Sequence, residues 1–251
     1  MKDNKQQLAW ITGGGSGIGK ALALLLADLG WKVVISGRTE SKLKVLSDQH
    51  ASIHHLILDV TNQQQNDDVF ASLVSQFGCP DLVILNAGDY TPMPADEFDI
   101  ALIHHLNSVN YLGTMNGLAA ILPSMKAQHS GQILIMSSVA GYRGLPDAGP
   151  YGATKAALIN VAESLHVPLK KQGVMLRIVN PGFVSTPLTA QNTFKMPAQI
   201  SPDEAAQRII NSLDSTSFEI TFPKRFTYLL KLFRCLPYRL YFLLITKITG
   251  K

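Results

Sequence analysis

Cysteine is scarce in this sequence: among 251 residues only Cys79 and Cys235 occur, far apart and outside any CxxC spacing, so a disulfide framework is not expected. The opening MKDNKQQ has neither the apolar centre of a secretory leader nor the length of a bilayer span, and a cytoplasmic setting is expected. Of seven histidines, four form the adjacent pairs His54/His55 and His104/His105, which cannot easily converge on one ion, and HExxH is absent. No metal is expected. No serine lies in GxSxG, which argues against an acyl-transfer triad. Acidic residues are missing from one place: Lys224 to Lys251 holds seven Lys or Arg and no Asp or Glu, while the preceding 223 residues hold 15 basic and 18 acidic side chains. The net charge of +4 therefore belongs to the C-terminal segment.

With 46% hydrophobic residues the chain has enough apolar material for one large core, expected over residues 1–223, followed by a basic amphipathic extension at 224–251. Apolar runs at 8–12, 31–36, 53–59, 82–86, 131–137, 173–180 and 218–222 read as strands. Helical patterns at 20–29, 67–77, 98–126, 151–170 and 201–213 alternate with them, the last opened by a Ser201 cap, Pro202 and Glu204. Strands apolar on both faces and separated by helices predict a single α/β domain, a doubly wound parallel sheet of the Rossmann type. Residues 185–200 carry no clear period and read as a long loop or loose lid.

The sharpest local signal is TGGGSGIG at 12–19, between the first strand and the first helix. Gly13, Gly17 and Gly19, with Gly15, Ser16 and Ile18 beside them, permit a tight turn and let backbone amides approach a pyrophosphate. No Lys-Ser or Lys-Thr pair follows, so a dinucleotide is expected rather than a triphosphate. At the end of the second strand, Ser36-Gly37-Arg38-Thr39 offers an arginine where an NAD-binding fold places a carboxylate, which favours NADP(H). The alternative leaves Arg38 solvated and brings Glu40 to the ribose. Asp59 and Val60 are placed to border the adenine, and Asn86, Ala87 and Gly88 to turn beneath the cofactor.

Tyr151 and Lys155 are four residues apart in a helical run and share a face. An ammonium near a phenol favours the phenolate; moving its pKa from about 10 to about 7 takes roughly 4 kcal/mol, which Lys155 and an oxidised nicotinamide would supply jointly. Taken alone, such a pair is more often surface packing. The full set of motifs resembles the classical short-chain dehydrogenase/reductase family: TGGGSGIG, NAG at 86–88, Asn110 in VNYLG, Ser138 closing IMSS, YGATK at 151–155 and PGFVST at 181–186, in order over residues 8 to about 190. The resemblance implies a nicotinamide-dependent oxidoreductase interconverting a carbonyl and an alcohol. Tyr151 would be its general acid or base, Ser138 would hold and polarise the substrate oxygen, and Asn110 would position a water in the proton relay. Lys155 would bind the nicotinamide ribose and lower the tyrosine pKa. Thr186 would lie near the carboxamide, beyond Pro181, Gly182 and Val184. Two hydroxyls aimed at the carbonyl oxygen stabilise the negative charge that develops there in the transition state. Ser137 competes with Ser138, and the 13-residue spacing to Tyr151 selects Ser138.

The resemblance also implies a homodimer through the long helices. The chain departs from the family after Phe222, where a glycine-rich ending is missing and PKRFTYLLKLFRCLPYRLYFLLITKITGK follows. Phe226, Leu229, Leu230, Phe233 and Leu236 can line one side of a helix that Pro237 breaks. Leu240 to Ile245 is too short to cross a bilayer. The segment either lies on the inner face of a membrane, held by anionic lipid and apolar burial, or packs on protein. Nucleic acid is not expected, because long apolar runs interrupt the charge. The substrate is expected to be a small, apolar carbonyl or alcohol, since the 185–200 loop carries Leu188, Phe194, Met196 and Ile200. An NAD-dependent alcohol dehydrogenase and a catalytically silent cofactor-binding protein are the alternatives.

Overall fold

The computed structural model describes residues 6–192, 194 and 196–250; the first five residues of the polar lead and Lys251 at the basic end lie outside the described residues. Seven strands among these residues form one parallel sheet: β1 (Leu8–Thr12), β2 (Lys32–Gly37), β3 (Ile53–Ile57), β4 (Leu82–Leu85), β5 (Gln132–Met136), β6 (Met175–Pro181) and β7 (Glu219–Phe222). Their order is β3-β2-β1-β4-β5-β6-β7. The chain is a doubly wound α/β protein of the Rossmann type. Between β1 and β4 the direction of winding reverses, and the crevice at the carboxyl ends of these strands is where such sheets take ligands.

The period of two along each strand divides the core. Ala9 and Ile11 of β1, Val33 and Ile35 of β2 and Leu134 and Met136 of β5 face α1 (Gly17–Asp28), α2 (Glu40–Gln49) and α7 (Pro202–Ile210). Trp10, Val34, Ile133 and Ile135 face α3 (Gln63–Phe77), α5 (Gly113–Ala127) and α6 (Gly149–Lys170). Burial of both faces explains why these strands read as unbroken apolar runs. Helix starts follow local chemistry: Asn62 accepts from Gln65 N at 3.0 Å, and Ser201 from Glu204 N at 3.1 Å ahead of Pro202.

The structure differs from the sequence reading at three places. Helix α2 occupies a stretch that carries only two buried residues, Leu43 and Leu46, and so little apolar period. The expected helix at 98–126 begins at Ile100, capped by Asp99, as α4 (Ile100–Leu106) and reaches α5 through a widened π turn at Asn107–Leu112. Beyond the cis Phe222–Pro223 bond lie α8 (Lys224–Arg234) and α9 (Tyr238–Thr249), parted at Pro237. On α8 the inward side carries Phe226, Thr227, Leu230 and Phe233, whereas Leu229 is exposed, because the docked stripe is centred nearer Thr227 than the apolar count suggests. Lys231 is not free in solvent but ion-paired with Glu219 of β7. No described helix is long and apolar enough to cross a membrane.

Candidate active site

The glycine turn follows β1 and is tied to the end of β4. Thr12 Oγ1 accepts from the backbone N–H groups of Asn86 (3.0 Å) and Ala87 (3.1 Å), and Asn86 Nδ2 donates to the carbonyls of Thr12 (3.1 Å) and Gly13 (3.2 Å). Asn86 is thus a brace for the turn. Gly13 has φ +67°, and a methyl there would sit 2.9 Å from Ala87 Cα; on Gly19 it would meet the Gly13 carbonyl oxygen at 2.4 Å. Only glycine fits either position. Ser16 precedes α1 without a side-chain capping bond, and no acid stands in the first turn. The amides and positive dipole end of α1 are therefore open to an anion.

Beside this turn lies a cavity of about 200 Å³ bordered by Gly13, Gly15, Ser16, Arg38, Asp59, Val60, Ala87 and Gly88, all from the sequence reading. Gly37, Thr39, Lys42, Leu43, Leu58 and Val109 complete it. Lys42 is the functional candidate that sequence reasoning missed; it stands in the first turn of α2, four residues after Arg38. Burial works to raise the Asp59 carboxyl, yet hydrogen bonds from Thr61 N and Oγ1, with the Arg38 charge, hold it below its ordinary value. A larger open hollow of about 350 Å³ lies against edge strand β3, beside His54, His55 and Phe77, and none of the candidate catalytic groups borders it.

Ile18 and Val184 pack into the core beside α1 and α7, so any part they take in ligand binding falls to their backbone. Thr186 lies over the glycine turn: its Cγ2 would be 3.2 Å from a methyl on Gly17. Pro181 ends β6, and Gly182 N donates to the Phe222 carbonyl at 2.8 Å.

Ser138 stands two residues beyond the end of β5, and its Oγ accepts from Ala140 N at 3.1 Å. Ser137 Oγ instead donates to the Lys155 carbonyl at 2.9 Å and is buried, so Ser138 is the serine at the Tyr151 phenol. Lys155 Nζ is buried, donates to the Met136 carbonyl at 2.9 Å and lies 5.5 Å from the Tyr151 ring centroid. Burial pushes the phenol up to about 12, offset in part by the Ser138 hydrogen bond, and brings Lys155 down to about 8. In the protein alone, desolvation thus outweighs the lowering expected from Lys155.

Asn110 is fully buried in the π turn. Its Oδ1 accepts from Asp89 N at 2.7 Å, and its Nδ2 donates to the Asp89 carbonyl at 2.9 Å and to Thr154 Oγ1 at 3.2 Å. This side chain joins the loop after β4 to α6, and its Oδ1 would lie 3.1 Å from a methyl on Gly88 at the cleft border. Tyr90, also unforeseen, sets its ring edge-on to Tyr151 at 4.9 Å and donates to Asn192 Oδ1 at 2.7 Å.

A family model described as short chain dehydrogenase matches residues 7–196. The chain belongs to the short-chain dehydrogenase family. This dehydrogenase is 32% identical to an uncharacterized oxidoreductase of Staphylococcus aureus (strain MW2) over 213 residues, 84% of this chain and 92% of that one. An uncharacterized oxidoreductase of Myxococcus xanthus (strain DK1622) is 32% identical over 241 residues, 94% and 95% of the two chains. That span is too long to omit all of residues 224–251. Among solved structures, a short-chain dehydrogenase from Streptomyces avermitilis superposes with a TM-score of 0.80 at 23% identity, over 91% and 92% of the chains. A short chain dehydrogenase/reductase from Burkholderia phymatum in complex with NAD gives 0.83 at 24%, over 92% and 94%. These two share the fold. Family membership makes the protein an oxidoreductase.

Proposed function

We propose that this dehydrogenase uses NADP(H) to interconvert a carbonyl and a secondary alcohol on a hydrophobic substrate. The observation that carries the reading is the meeting of Ser138, Tyr151 and Lys155 where β5 ends and α6 begins, on the same sheet edge as the glycine-lined cleft. The amides of Gly13 to Gly19 and the α1 terminus hold the pyrophosphate; Asp59 and Val60 flank the adenine; Ala87 and Gly88 lie beneath, and Pro181, Gly182, Val184 and Thr186 form the far wall. When bound, NADPH supplies the hydride. Tyr151 donates the proton to the substrate oxygen in reduction and takes it in oxidation, Ser138 donates a second hydrogen bond to that oxygen, and Lys155 holds the ribose beside them. Asn110 keeps Asp89 and α6 in register. Apolar substrate is favoured by the rings of Phe183, Phe194 and Phe226, with Phe194 edge-on to Phe183 at 5.7 Å and Phe226 tilted against it at 5.8 Å.

Arg38 and Lys42 flank the ribose end of the cleft with two positive charges, which supports the 2′-phosphate. In an NADPH-oxidation screen over short and long carbonyl compounds, Arg38→Ala combined with Lys42→Ala is expected to raise KM for NADPH by about 10- to 100-fold, the worth of one or two hydrogen bonds to a charged group. KM for NADH should change less than threefold, by the same reasoning. An unchanged preference would sink NADP(H) in favour of an NAD-dependent alcohol dehydrogenase.

The reading includes a homodimer through the exposed apolar side chains on and beside α4–α6, among them Ile100, Leu112 and Val167, and contact with an anionic membrane surface. Half of the exposed large hydrophobic side chains recorded lie in α8 and α9, including Leu232, Leu240, Phe242, Leu243 and Ile248, interspersed with exposed Arg225, Arg234, Arg239 and Lys247. The inner side of the same helices is already packed, so both earlier readings of the segment apply, one to each face. The protein should float with anionic vesicles and not with neutral ones, losing recovery as salt rises. Leu232→Glu with Leu243→Glu should cut that recovery about tenfold or more, given ~1.5–3 kcal/mol per buried leucine, with the dimer mass by light scattering unchanged. Equal flotation of wild type and variant would remove the membrane from the proposal, and a monomer mass would remove the dimer.

A further inference from the structure

Three successive residues of the loop between Ser138 and Tyr151 are fastened to the C-terminal helices. Tyr142 donates its hydroxyl to Glu219, the same carboxylate that pairs with Lys231 of α8. Arg143 Nη1 donates to the carbonyls of Phe233 at 2.5 Å and Leu236 at 2.7 Å, with Arg234 at 3.3 Å, at and just beyond the end of α8. Its guanidinium lies 4.0 Å from the centroid of the Tyr241 ring and 5.1 Å from that of Tyr238. Tyr241, buried on α9, donates its hydroxyl to the Gly144 carbonyl.

The other side of this loop rests on the catalytic helix. A methyl on Gly141 would stand 2.7 Å from the Lys155 carbonyl carbon, and one on Gly152 would stand 3.0 Å from the Ala140 oxygen, so backbone meets backbone. Between Ser138 and the start of α6 the chain has one short turn, Val139–Gly141, and its far end is tied by the Met93 N–H to the Asp147 carbonyl at 2.8 Å. The placement of Ser138 is thus set by α6 on one side and by the C-terminal hairpin on the other. Arg143 suits the second task where lysine would not: one guanidinium nitrogen reaches the carbonyls while the planar group lies over the Tyr241 ring.

We propose that Arg143 is a positioning residue of the reaction, locking the loop that carries Ser138 to the α8–α9 turn and so aiming the serine hydroxyl beside the Tyr151 phenol. The inference rests on the roles of Ser138 and Tyr151 proposed above. It makes the C-terminal segment part of the active site's support, although none of its residues is assigned to the chemistry. A misplacement of a catalytic group by about 1 Å costs up to about a hundredfold in rate.

The test is steady-state kinetics of Arg143→Ala and Arg143→Lys in the full chain, with Tyr151→Phe in parallel and NADPH binding followed by fluorescence titration. Arg143→Ala should lower kcat about 10- to 100-fold. Its NADPH affinity should be kept within about twofold, because the phosphate contacts lie on the glycine turn after β1 and at the end of β2, away from this loop. Guanidinium ion at sub-denaturing concentration should restore part of the lost turnover by refilling the space between the carbonyls and Tyr241. Arg143→Lys, which keeps charge and most of the volume, should fall between wild type and alanine. Wild-type kcat in either variant overturns the proposal. So does a loss that guanidinium leaves untouched and that equals the loss of NADPH binding, since that marks general loosening. Turnover persisting in Tyr151→Phe would instead overturn the catalytic assignment on which the inference rests.

Discussion

Tyr151→Phe should lower kcat by about three orders of magnitude, within the range of 10²- to 10⁴-fold typical of a lost general acid, while NADPH affinity by fluorescence titration stays within about twofold. The substitution removes one oxygen and keeps the ring, so the edge-on packing with Tyr90 at 4.9 Å survives. Ser138 keeps its bond from Ala140 N and loses its neighbour at the substrate oxygen. Activity above a tenth of wild type would refute the acid role.

The pH dependence follows from the same environment. With the phenol pushed up to about 12, only about one molecule in 10⁵ carries the phenolate at neutral pH. The protein alone is therefore poised to donate a proton. Reduction should be nearly flat with pH below about 8 and decline above it, where Lys155 gives up its charge. Oxidation needs the phenolate and should rise with pH over the same interval.

Both core layers were legible because buried strands leave unbroken apolar runs, and the start of α7 because Ser201 caps it ahead of Pro202. Helix α2 was not, since Leu43 and Leu46 alone face inward and, apart from exposed Val45, the rest of ESKLKVLSDQ is polar; with it went Lys42, whose position depends on that helix. The choice of Ser138 over Ser137 rested on spacing, and the structure supplies the physical difference: Ser137 is committed to the Lys155 carbonyl. For Asn110 the residue was foreseen but not its surroundings, because a π turn leaves no periodic signature that separates it from an ordinary helix. The link from Arg143 to Phe233 and Tyr241 spans about ninety residues of sequence, and no local pattern announces a contact between a loop arginine and helix-end carbonyls.

Lys155 sets the second large expectation, because one side chain enters stability and catalysis with opposite signs. Its ammonium is buried with a single recorded hydrogen bond, to the Met136 carbonyl, and burial lowers its pKa from 10.5 to about 8. At pH 7 the group is protonated in folded and unfolded chains alike, so the folded state bears the whole cost of the buried charge. Between about 8 and 10.5 the folded chain releases a proton that the unfolded chain still holds, and by linkage stability rises with pH across that window; above it the cost is gone. Lys155→Met retains the length of the side chain and removes the charge. It should raise unfolding free energy by about 1–2 kcal/mol at pH 7, the desolvation relieved less the lost hydrogen bond, and the gain should fade by about pH 10.5. The same variant should lose about 10²- to 10³-fold in kcat with a raised KM for NADPH, since the group that holds the ribose and favours the phenolate is gone. Urea unfolding of the two proteins at both ends of the pH window, set beside their kinetics, measures the trade directly. A variant that is less stable at pH 7, or stabilised equally at both ends, would show that the ammonium is fully compensated in the fold and that its burial is not the cost of its catalytic place.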